Sequence, residues 1–309
     1  MSITITGGIT LNGGGWTIVA PPAAKNAIFG YGYASGDVSV SMTNLVSNTG
    51  VVGNNVTGVG TARNRLAAAD YGTDKAIFGY GFNTGNQSMT NLVSNTGVVA
   101  TDTAGVGTAR EQPAAAGYGT DKAIFGYGFG SSVTAITNLV SNTGVVANDT
   151  AGVGSTKFGL AAAGYGTDKA IFGYGLDAGY TMTSTTNLVS NTGVVANNTA
   201  GVGTARGRLA AAGYGTDKAI FGYGSTGSYV SMTNLVSNTG VVSTDTTGVG
   251  TARERPAAAS YGIGTAIFGY GWNDSYLSMT NLVSNTGVVA IDTTGVGTAR
   301  YGLAAAAYG

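Results

Sequence analysis

One basic residue recurs six times in this sequence, at intervals of 47 or 49 residues. It ends Gly-rich segments such as GVGTAR, at Arg63, Arg110, Lys157, Arg206, Arg253 and Arg300. Six equivalent cations around an axis would form a basic ring able to hold an anion or a carboxylate-rich partner. The sequence favours another arrangement, in which each cation binds backbone carbonyls or the Asp or Asn eight residues earlier. Those residues are Asn55, Asp102, Asp149, Asn198, Asp245 and Asp292.

Aromatic residues form a second candidate group, in segments that differ from repeat to repeat. Rigid aromatic rings among Asn, Ser and Gly are typical of surfaces that bind glycans or proteins. The alternative is that these exposed loops vary because nothing constrains them. The predicted ligand-binding residues are Phe82, Phe129, Tyr180, Tyr229, Trp272, Asp274 and Tyr276, and Asp177 lies near Tyr180.

The residue types that many enzymes use are missing or isolated. The chain has no Cys and no His, which removes thiolate nucleophiles, the usual general base and the commonest zinc and copper ligands. Its two Glu residues, Glu111 and Glu254, occupy equivalent places in two halves of the chain, which disfavours a catalytic carboxylate pair. The Asp-Thr segments lack the dense oxygen ligands of a calcium loop. We predict no catalytic residue, no metal site and no cofactor.

Composition and charge limit the partners. The chain has 54 Gly among 309 residues, a hydrophobic fraction of 43%, and 14 basic residues that balance 14 acidic ones. This combination is typical of a packed β-protein. Without a clustered basic excess, binding to nucleic acid or anionic lipid is not expected. No apolar run is long enough to cross a membrane.

Internal repetition sets the architecture. The pentad Ala-Ile-Phe-Gly-Tyr begins at residues 27, 76, 123, 170, 219 and 266. Each repeat predicts four short strands: a (LAAAGYG), b (KAIFGYG), c (TNLVSN) and d (beginning at GVVATDT), joined by tight turns such as GTDK and SNTG. Four antiparallel strands in about 47 residues indicate a propeller blade. The Ala and Gly of strand a fit the crowded centre of such a ring.

The string GVGTAR, followed by LAAAGYG, GTDK and KAIFGYG, resembles a Kelch-type β-propeller repeat over residues 26–309. It differs in having Gly-Tyr-Gly where a double glycine is usual, and in lacking the aromatic residue that often closes the motif. The resemblance implies an all-β, six-bladed Kelch-like propeller. Near-identical arrays are also similar to repeats in virion proteins of tailed bacteriophages, which implies a structural or tail-appendage role.

The two ends of the chain suggest how the ring closes. The sequence finishes with a strand a that has no strand b after it, ARYGLAAAAYG. The first strand b follows PPAAKN, whose prolines cannot donate ladder hydrogen bonds. We predict that the C-terminal strand completes the first blade. Residues 1–25 then form a β appendage, in which SITIT and ITLNGGGWTIV alternate like a hairpin, that could anchor the ring to a partner.

Sequence variation is concentrated in two kinds of connection. The a–b turn reads GTDK in four repeats and the c–d turn reads SNTG in all six. The b–c loops differ throughout, at residues 33–42, 82–89, 129–136, 176–185, 225–232 and 272–279. The d–a triplets after the basic residue also differ: NRL, EQP, FGL, GRL, ERP and YGL. We name these loops and triplets the variable face. Its pattern repeats after 143 residues, which indicates a duplicated three-repeat half.

Together these features favour a non-enzymatic phage-type structural or appendage protein whose variable face adheres to a host-surface glycan or protein. The alternative is an architectural virion or assembly component with no specific ligand. Expected partners are other virion or surface proteins, without nucleic acid or membrane insertion. The N-terminus lacks a signal-peptide pattern, so we expect synthesis in a bacterial cytoplasm and a virion or extracellular location after lysis.

Overall fold

The structure is a computed structural model that describes residues 8–12, 15–19 and 23–309, and these residues form strands, turns and loops without a helix. The first described element is a hairpin of Gly8–Asn12 and Gly15–Val19, which pair antiparallel as a separate two-stranded sheet. Apart from Gly8, both strands lie within the predicted ITLNGGGWTIV segment, whereas the sequence predicted a hairpin that also includes SITIT. The predicted SITIT strand, at residues 2–6, lies outside the described residues.

Each repeat forms a three-stranded antiparallel sheet in the order a–b–c. Sheets 1 to 3 are Ala304–Tyr308, Asn26–Gly30 and Thr43–Val46; Ala67–Tyr71, Lys75–Gly79 and Thr90–Val93; Ala114–Tyr118, Lys122–Phe129 and Val133–Val140. Sheets 4 to 6 are Ala161–Tyr165, Lys169–Gly173 and Thr186–Val189; Ala210–Tyr214, Lys218–Gly222 and Thr233–Val236; Ala257–Tyr261, Thr265–Trp272 and Tyr276–Val283. A short sheet of Arg300–Tyr301, Tyr33–Ala34 and Val38–Ser39 continues sheet 1 toward its b–c loop.

The C-terminal strand pairs with the first strand b, as the sequence predicts. Ala304–Tyr308 lies antiparallel to Asn26–Gly30, from Ala304 opposite Gly30 to Tyr308 opposite Asn26. It also contacts strand a of sheet 2 and strand a of sheet 6. The last strand of the chain therefore occupies the place that a local strand a occupies in the other sheets.

The predicted strand d is reduced to two isolated bridges in each repeat. In sheet 1 these bridges join Val46 to Val52 and Thr43 to Val56. Between the two bridges the outer segment has three residues and strand c has two, so the outer segment has one extra residue. The side chain of Asn44 fills the irregularity, because its Nδ2 donates to the carbonyl of Gly53 at 3.0 Å. The extra residue interrupts the ladder, and the repeat has three regular strands instead of the four predicted.

Adjacent sheets pack through a phenylalanine on one strand b and a glycine on the next. A Cβ added at Gly79 would lie 2.7 Å from Cζ of Phe125, and the same relation joins Gly269 of sheet 6 to Phe29 of sheet 1 at 2.8 Å. Each Phe also packs against a tyrosine of the neighbouring sheet, edge-on in five pairs and tilted in the sixth, as in the 5.1 Å separation of the Tyr80 and Phe125 ring centroids. Side-chain shape therefore fixes the spacing between sheets.

The small residues of strand a line a central cavity of about 320 Å³, to which all six sheets contribute. At one end of this cavity the a–b connections are linked by backbone hydrogen bonds from each sheet to the next. The donors and acceptors are Gly72 to Asp121, Gly119 to Asp168, Gly166 to Asp217, Gly215 to Gly264, Gly262 to Lys25, and Gly309 to Asp74. The last two bonds involve residues near the two ends of the chain.

The Phe–Gly packing gives a direct test of sheet spacing. We expect Gly173→Ala to lower the free energy of unfolding by about 1–3 kcal/mol, because its Cβ would lie 2.8 Å from Cζ of Phe221. Gly85→Ala is the control, since nothing lies within 4 Å of a Cβ there. Thermal and denaturant unfolding of both variants measures the difference, and equal stability of the two would contradict this packing.

Candidate functional site

The structure brings the b–c loop and the d–a triplet of each repeat together at one end of its sheet. Bridges join Asn64 to Phe82, Glu111 to Phe129, Phe158 to Leu176, Gly207 to Ser225, Glu254 to Trp272, and Tyr301 to Tyr33. At the opposite end the constant turns meet, since a Cβ at Gly72 of an a–b turn would lie 3.0 Å from the carbonyl oxygen of Asn142 in a c–d turn. Variable and constant connections are thus separated.

Two of the predicted binding residues belong to an aromatic cluster between sheets 6 and 1. The rings of Trp272 and Tyr276 meet edge-on with centroids 4.9 Å apart. Tyr301 lies 5.3 Å from Trp272 and stacks on Tyr276 at 5.6 Å. Tyr33 adds a fourth ring, 5.6 Å from Tyr301. All four rings are partly exposed, so they form a rigid apolar patch that solvent reaches.

A second cluster occupies the corresponding place between sheets 3 and 4. Phe129 lies 5.7 Å from Phe158, and Phe158 lies 5.4 Å from Tyr180. Tyr180 is 62% exposed, the most open of the predicted aromatic residues. Phe129 and Phe158 precede Trp272 and Tyr301 by 143 residues, so the two clusters are related by the duplication of the chain.

Carboxylates accept hydrogen bonds from two tyrosines of this face, Tyr276 of the first cluster and Tyr229. Tyr276 donates to Oδ1 of Asp37 at 3.1 Å, and Tyr229 donates to Oδ1 of Asp274 at 2.9 Å. Desolvation and Asp37 raise the pKa of Tyr276 to about 12, and desolvation and Asp274 raise the pKa of Tyr229. Both phenols therefore stay protonated near neutral pH. Phe82 lies outside both clusters, and Cζ of Arg65 lies 6.0 Å from its ring centroid.

The sequence reasoning missed two central residues of this face, Phe158 and Tyr301. Each is the first residue of a d–a triplet, and each joins the b–c loop aromatics of two neighbouring sheets. The signal was present in the paired triplets FGL and YGL, which are 143 residues apart. Tyr33 and Asp37 of the first b–c loop were missed as well.

The six recurrent cations do not form the basic ring considered from the sequence. The side chains are fully buried between neighbouring sheets. Their donors contact protein acceptors, except that within the described residues Nε of Arg253 has no partner. Arg63 is representative: its Nε donates to the carbonyl of Tyr80 at 2.9 Å and its Nη1 to that of Thr61 at 3.1 Å. Its guanidinium lies over the ring of Tyr31, 4.4 Å from the centroid. A buried, internally bonded cation cannot take an anion from solvent, so these residues are structural. The set is Arg63, Arg110, Lys157, Arg206, Arg253 and Arg300.

Carbonyl binding agrees with the favoured interpretation, but the acidic partner was assigned to the wrong repeat. Nη2 of Arg63 donates to Oδ1 of Asn91 at 2.7 Å, and Nδ2 of Asn91 donates to Oδ1 of Asp102 at 2.9 Å. Nη1 of Arg63 lies 3.9 Å from Oδ1 of Asp102, which the sequence had paired with Arg110. Although burial opposes it, hydrogen bonds from Thr61 and Asn91 hold the pKa of Asp102 below its usual value.

Within the described residues there is no group of three or more metal-binding side chains of the His, Cys, Asp and Glu types. The same residues contain no helix able to cross a membrane. Comparison with models of known protein families gives no match to this chain, and comparison with curated proteins gives none. Any functional inference therefore depends on the geometry of the chain itself.

Lys157 is the lysine among the six buried cations and gives a test of their structural role. Its Nζ donates to Oδ1 of Asn187 at 3.0 Å and to the carbonyl of Thr185 at 3.1 Å. Desolvation lowers its pKa to about 8. An unfolded lysine titrates near pH 10.4, so between these values the unfolded state binds more protons and stability rises with pH.

We expect Lys157→Arg to be more stable than the parent at pH 7 by about 1 kcal/mol, because a guanidinium can reproduce the contacts of the other five repeats. The difference should shrink as the pH rises from 8 to 10, since only the lysine loses its proton. Denaturant unfolding at several pH values measures this difference in the free energy of unfolding. Arg110→Lys is the converse control, since it replaces a guanidinium with a lysine at an equivalent position. Parallel pH profiles for parent and variant would contradict the assignment.

Proposed function

We propose that this chain is a non-enzymatic binding module, built as a closed six-bladed Kelch-like β-propeller, whose variable face adheres to a glycan or protein on a host cell. We propose further that it serves as a structural or tail-appendage component of a phage-type virion, with residues 1–25 as the anchor to neighbouring virion proteins. Virion location and release by lysis belong to the same proposal.

Three contacts between the ends of the chain support the closed ring. Ala304–Tyr308 pairs with Asn26–Gly30, and Phe29 faces Gly269 in the same way that Phe125 faces Gly79. Across the chain ends, Arg300 makes the buried contacts that Arg63, Arg110 and Arg206 make at their boundaries, with Nε donating to the carbonyl of Tyr31 at 2.8 Å. A sixth sheet boundary equivalent to the other five is what a six-membered ring requires.

The observation that carries the binding proposal is the partly exposed cluster of Trp272, Tyr276 and Tyr301. A fully buried cluster would be explained by packing, whereas these rings remain open to solvent on the face where the repeats differ. Flat aromatic surfaces with hydrogen-bonding neighbours suit sugar rings and protein side chains. The aspartates that fix Tyr229 and Tyr276 preorganise this surface and reduce the entropy lost on binding.

A second candidate function, a purely architectural role, is favoured by the opposite face. The valine after every SNTG turn is 64–66% exposed, although large apolar side chains are usually buried. These valines are Val51, Val98, Val145, Val194, Val241 and Val288. Identical apolar contacts repeated in six sheets suit docking against another assembly subunit.

Binding by the intact protein to a glycan array and to a panel of bacterial cells tests the first proposal. We expect a variant with Trp272, Tyr276 and Tyr229 changed to Ala to bind at least tenfold more weakly, because aromatic anchors dominate such surfaces. A matched control changes Val98, Val145 and Val194 to Ala on the opposite face. Circular dichroism shows whether each variant is folded. Equal binding by both folded variants would reject the variable face, and no binding by the parent would favour the architectural role.

A further inference from the structure

A second set of six equivalent residues, two positions after each buried cation, forms a backbone circuit. Each residue donates its amide to the carbonyl of its counterpart in the preceding sheet, at 2.6–3.2 Å. The bonds run from Arg65 to Gly302, Gln112 to Arg65, Gly159 to Gln112, Arg208 to Gly159, Arg255 to Arg208, and Gly302 to Arg255. All six backbones are left-handed, with φ between 51° and 62°. The circuit holds their side chains side by side.

Left-handed backbone is unfavourable for residues with a Cβ, and glycine is its usual occupant. Gly159 and Gly302 meet that preference, whereas Arg65, Arg208 and Arg255 adopt the conformation despite their long side chains. Gln112 does the same, so the hydrogen bonds of the circuit fix this backbone whatever the side chain. The circuit therefore brings the three guanidinium groups to one place.

These arginines surround a small cavity of about 80 Å³, also lined by Gln112. Arg65 Nη1 donates to Oε2 of Glu111 at 2.8 Å, and Arg208 Nη1 donates to Oε2 of Glu254 at 3.1 Å. These two pairs take up both carboxylates. Three guanidinium groups against two carboxylates leave one positive charge at the cavity.

Arg255 carries that unbalanced charge. Its Nε lies 3.7 Å from Oε1 of Glu254, too far for a hydrogen bond, and its side chain is 15% exposed. Within the described part of the chain, four buried Nε atoms have no hydrogen-bond partner: those of Arg65, Arg208 and Arg255 at this cavity, and that of Arg253 between two sheets. Desolvation, with Arg65 and Arg208 adding to it, lowers the pKa of Arg255. Buried donors without acceptors are costly, and an anion from outside would satisfy them.

The charge and the surroundings define the anion. One excess positive charge matches a single negative charge, and the planar fork of arginine matches a carboxylate. The cavity holds such a group but not a sugar ring. Cζ of Arg255 lies 5.4 Å from the ring centroid of Tyr301, so the arginines adjoin the aromatic cluster with Trp272. A sugar ring attached to the carboxylate would lie against the parts of Tyr301 and Trp272 that remain exposed.

We propose that Arg65, Arg208 and Arg255 form an anion site that binds the carboxylate of an acidic sugar, with the sugar ring on Tyr301 and Trp272. This assignment rests on the proposed glycan-binding role of the variable face. It adds a charge requirement that the aromatic residues alone do not impose.

The duplication supplies a matched variant. Gln112 precedes Arg255 by 143 residues and has the same left-handed backbone, so Arg255→Gln introduces a residue that this fold already accepts there. Calorimetry at low salt would use trigalacturonate and sialyllactose as acidic probes, with the trigalacturonate methyl ester and lactose as neutral counterparts. We expect Arg255→Gln to weaken binding of an acidic probe at least tenfold and to leave neutral binding unchanged. Gln112→Arg should strengthen acidic binding.

The outcomes separate this site from the wider proposal. Two results together would overturn the anion site: equal affinity of the parent for neutral and acidic sugars, and no change in either affinity in Arg255→Gln. The proposed aromatic binding surface would still stand. Tighter binding of inorganic phosphate than of either acidic sugar would overturn the carboxylate assignment. No binding of either acidic probe by the folded parent protein would also overturn it. If the variant with Trp272, Tyr276 and Tyr229 changed to Ala loses binding of neutral sugars and Arg255→Gln keeps it, the aromatic residues bind the sugar ring and Arg255 binds the carboxylate.

Discussion

A buried cation at each boundary between sheets is the constraint on which the rest of this structure depends. A charge removed from water is tolerated only when its donors are satisfied and its field is compensated. Around Arg63 this requirement accounts for the carbonyls of Thr61 and Tyr80, the amide of Asn91 and the aromatic face of Tyr31. These residues come from two sheets. The hydrogen bonds that satisfy the donors of the cation therefore also join the two sheets.

The same requirement explains which parts of the repeat stay constant. Asn91 serves both Arg63 and Asp102, and the carboxylate of Asp102 accepts the backbone amide and the hydroxyl of Thr61. A change at one member would leave a buried partner without a hydrogen bond. The b–c loops and d–a triplets begin where this network ends, and there the side chains can change without disturbing the sheet boundary.

Duplication of a three-repeat half gives the variable face two related regions with different chemistry. The pair Trp272 and Tyr301 corresponds to Phe129 and Phe158, which keep the aromatic contact but lack polar groups. At the small cavity Arg255 corresponds to Gln112, so one half carries a charge that the other lacks. The frame is repeated closely while its exposed residues diverge, so the two halves of the variable face differ in charge and polarity.

The sequence by itself determined the strands a, b and c and the tight turns, because strand and turn chemistry is local. It also determined the pairing of the C-terminal strand with the first repeat, because the repeat pattern leaves one strand a without a strand b and one strand b without a strand a. The irregular fourth segment was not foreseen, since an asparagine side chain interrupts its ladder. Only the tertiary structure placed Arg63 between sheets and Arg65 beside the small cavity that Arg208 and Arg255 also line. Both are basic residues of one connection, but Arg65 has a left-handed backbone that hydrogen bonds to neighbouring repeats hold in place. This difference in backbone directs the two side chains to different places. That distinction depends on how six sheets pack, which the spacing of residues in one repeat does not encode.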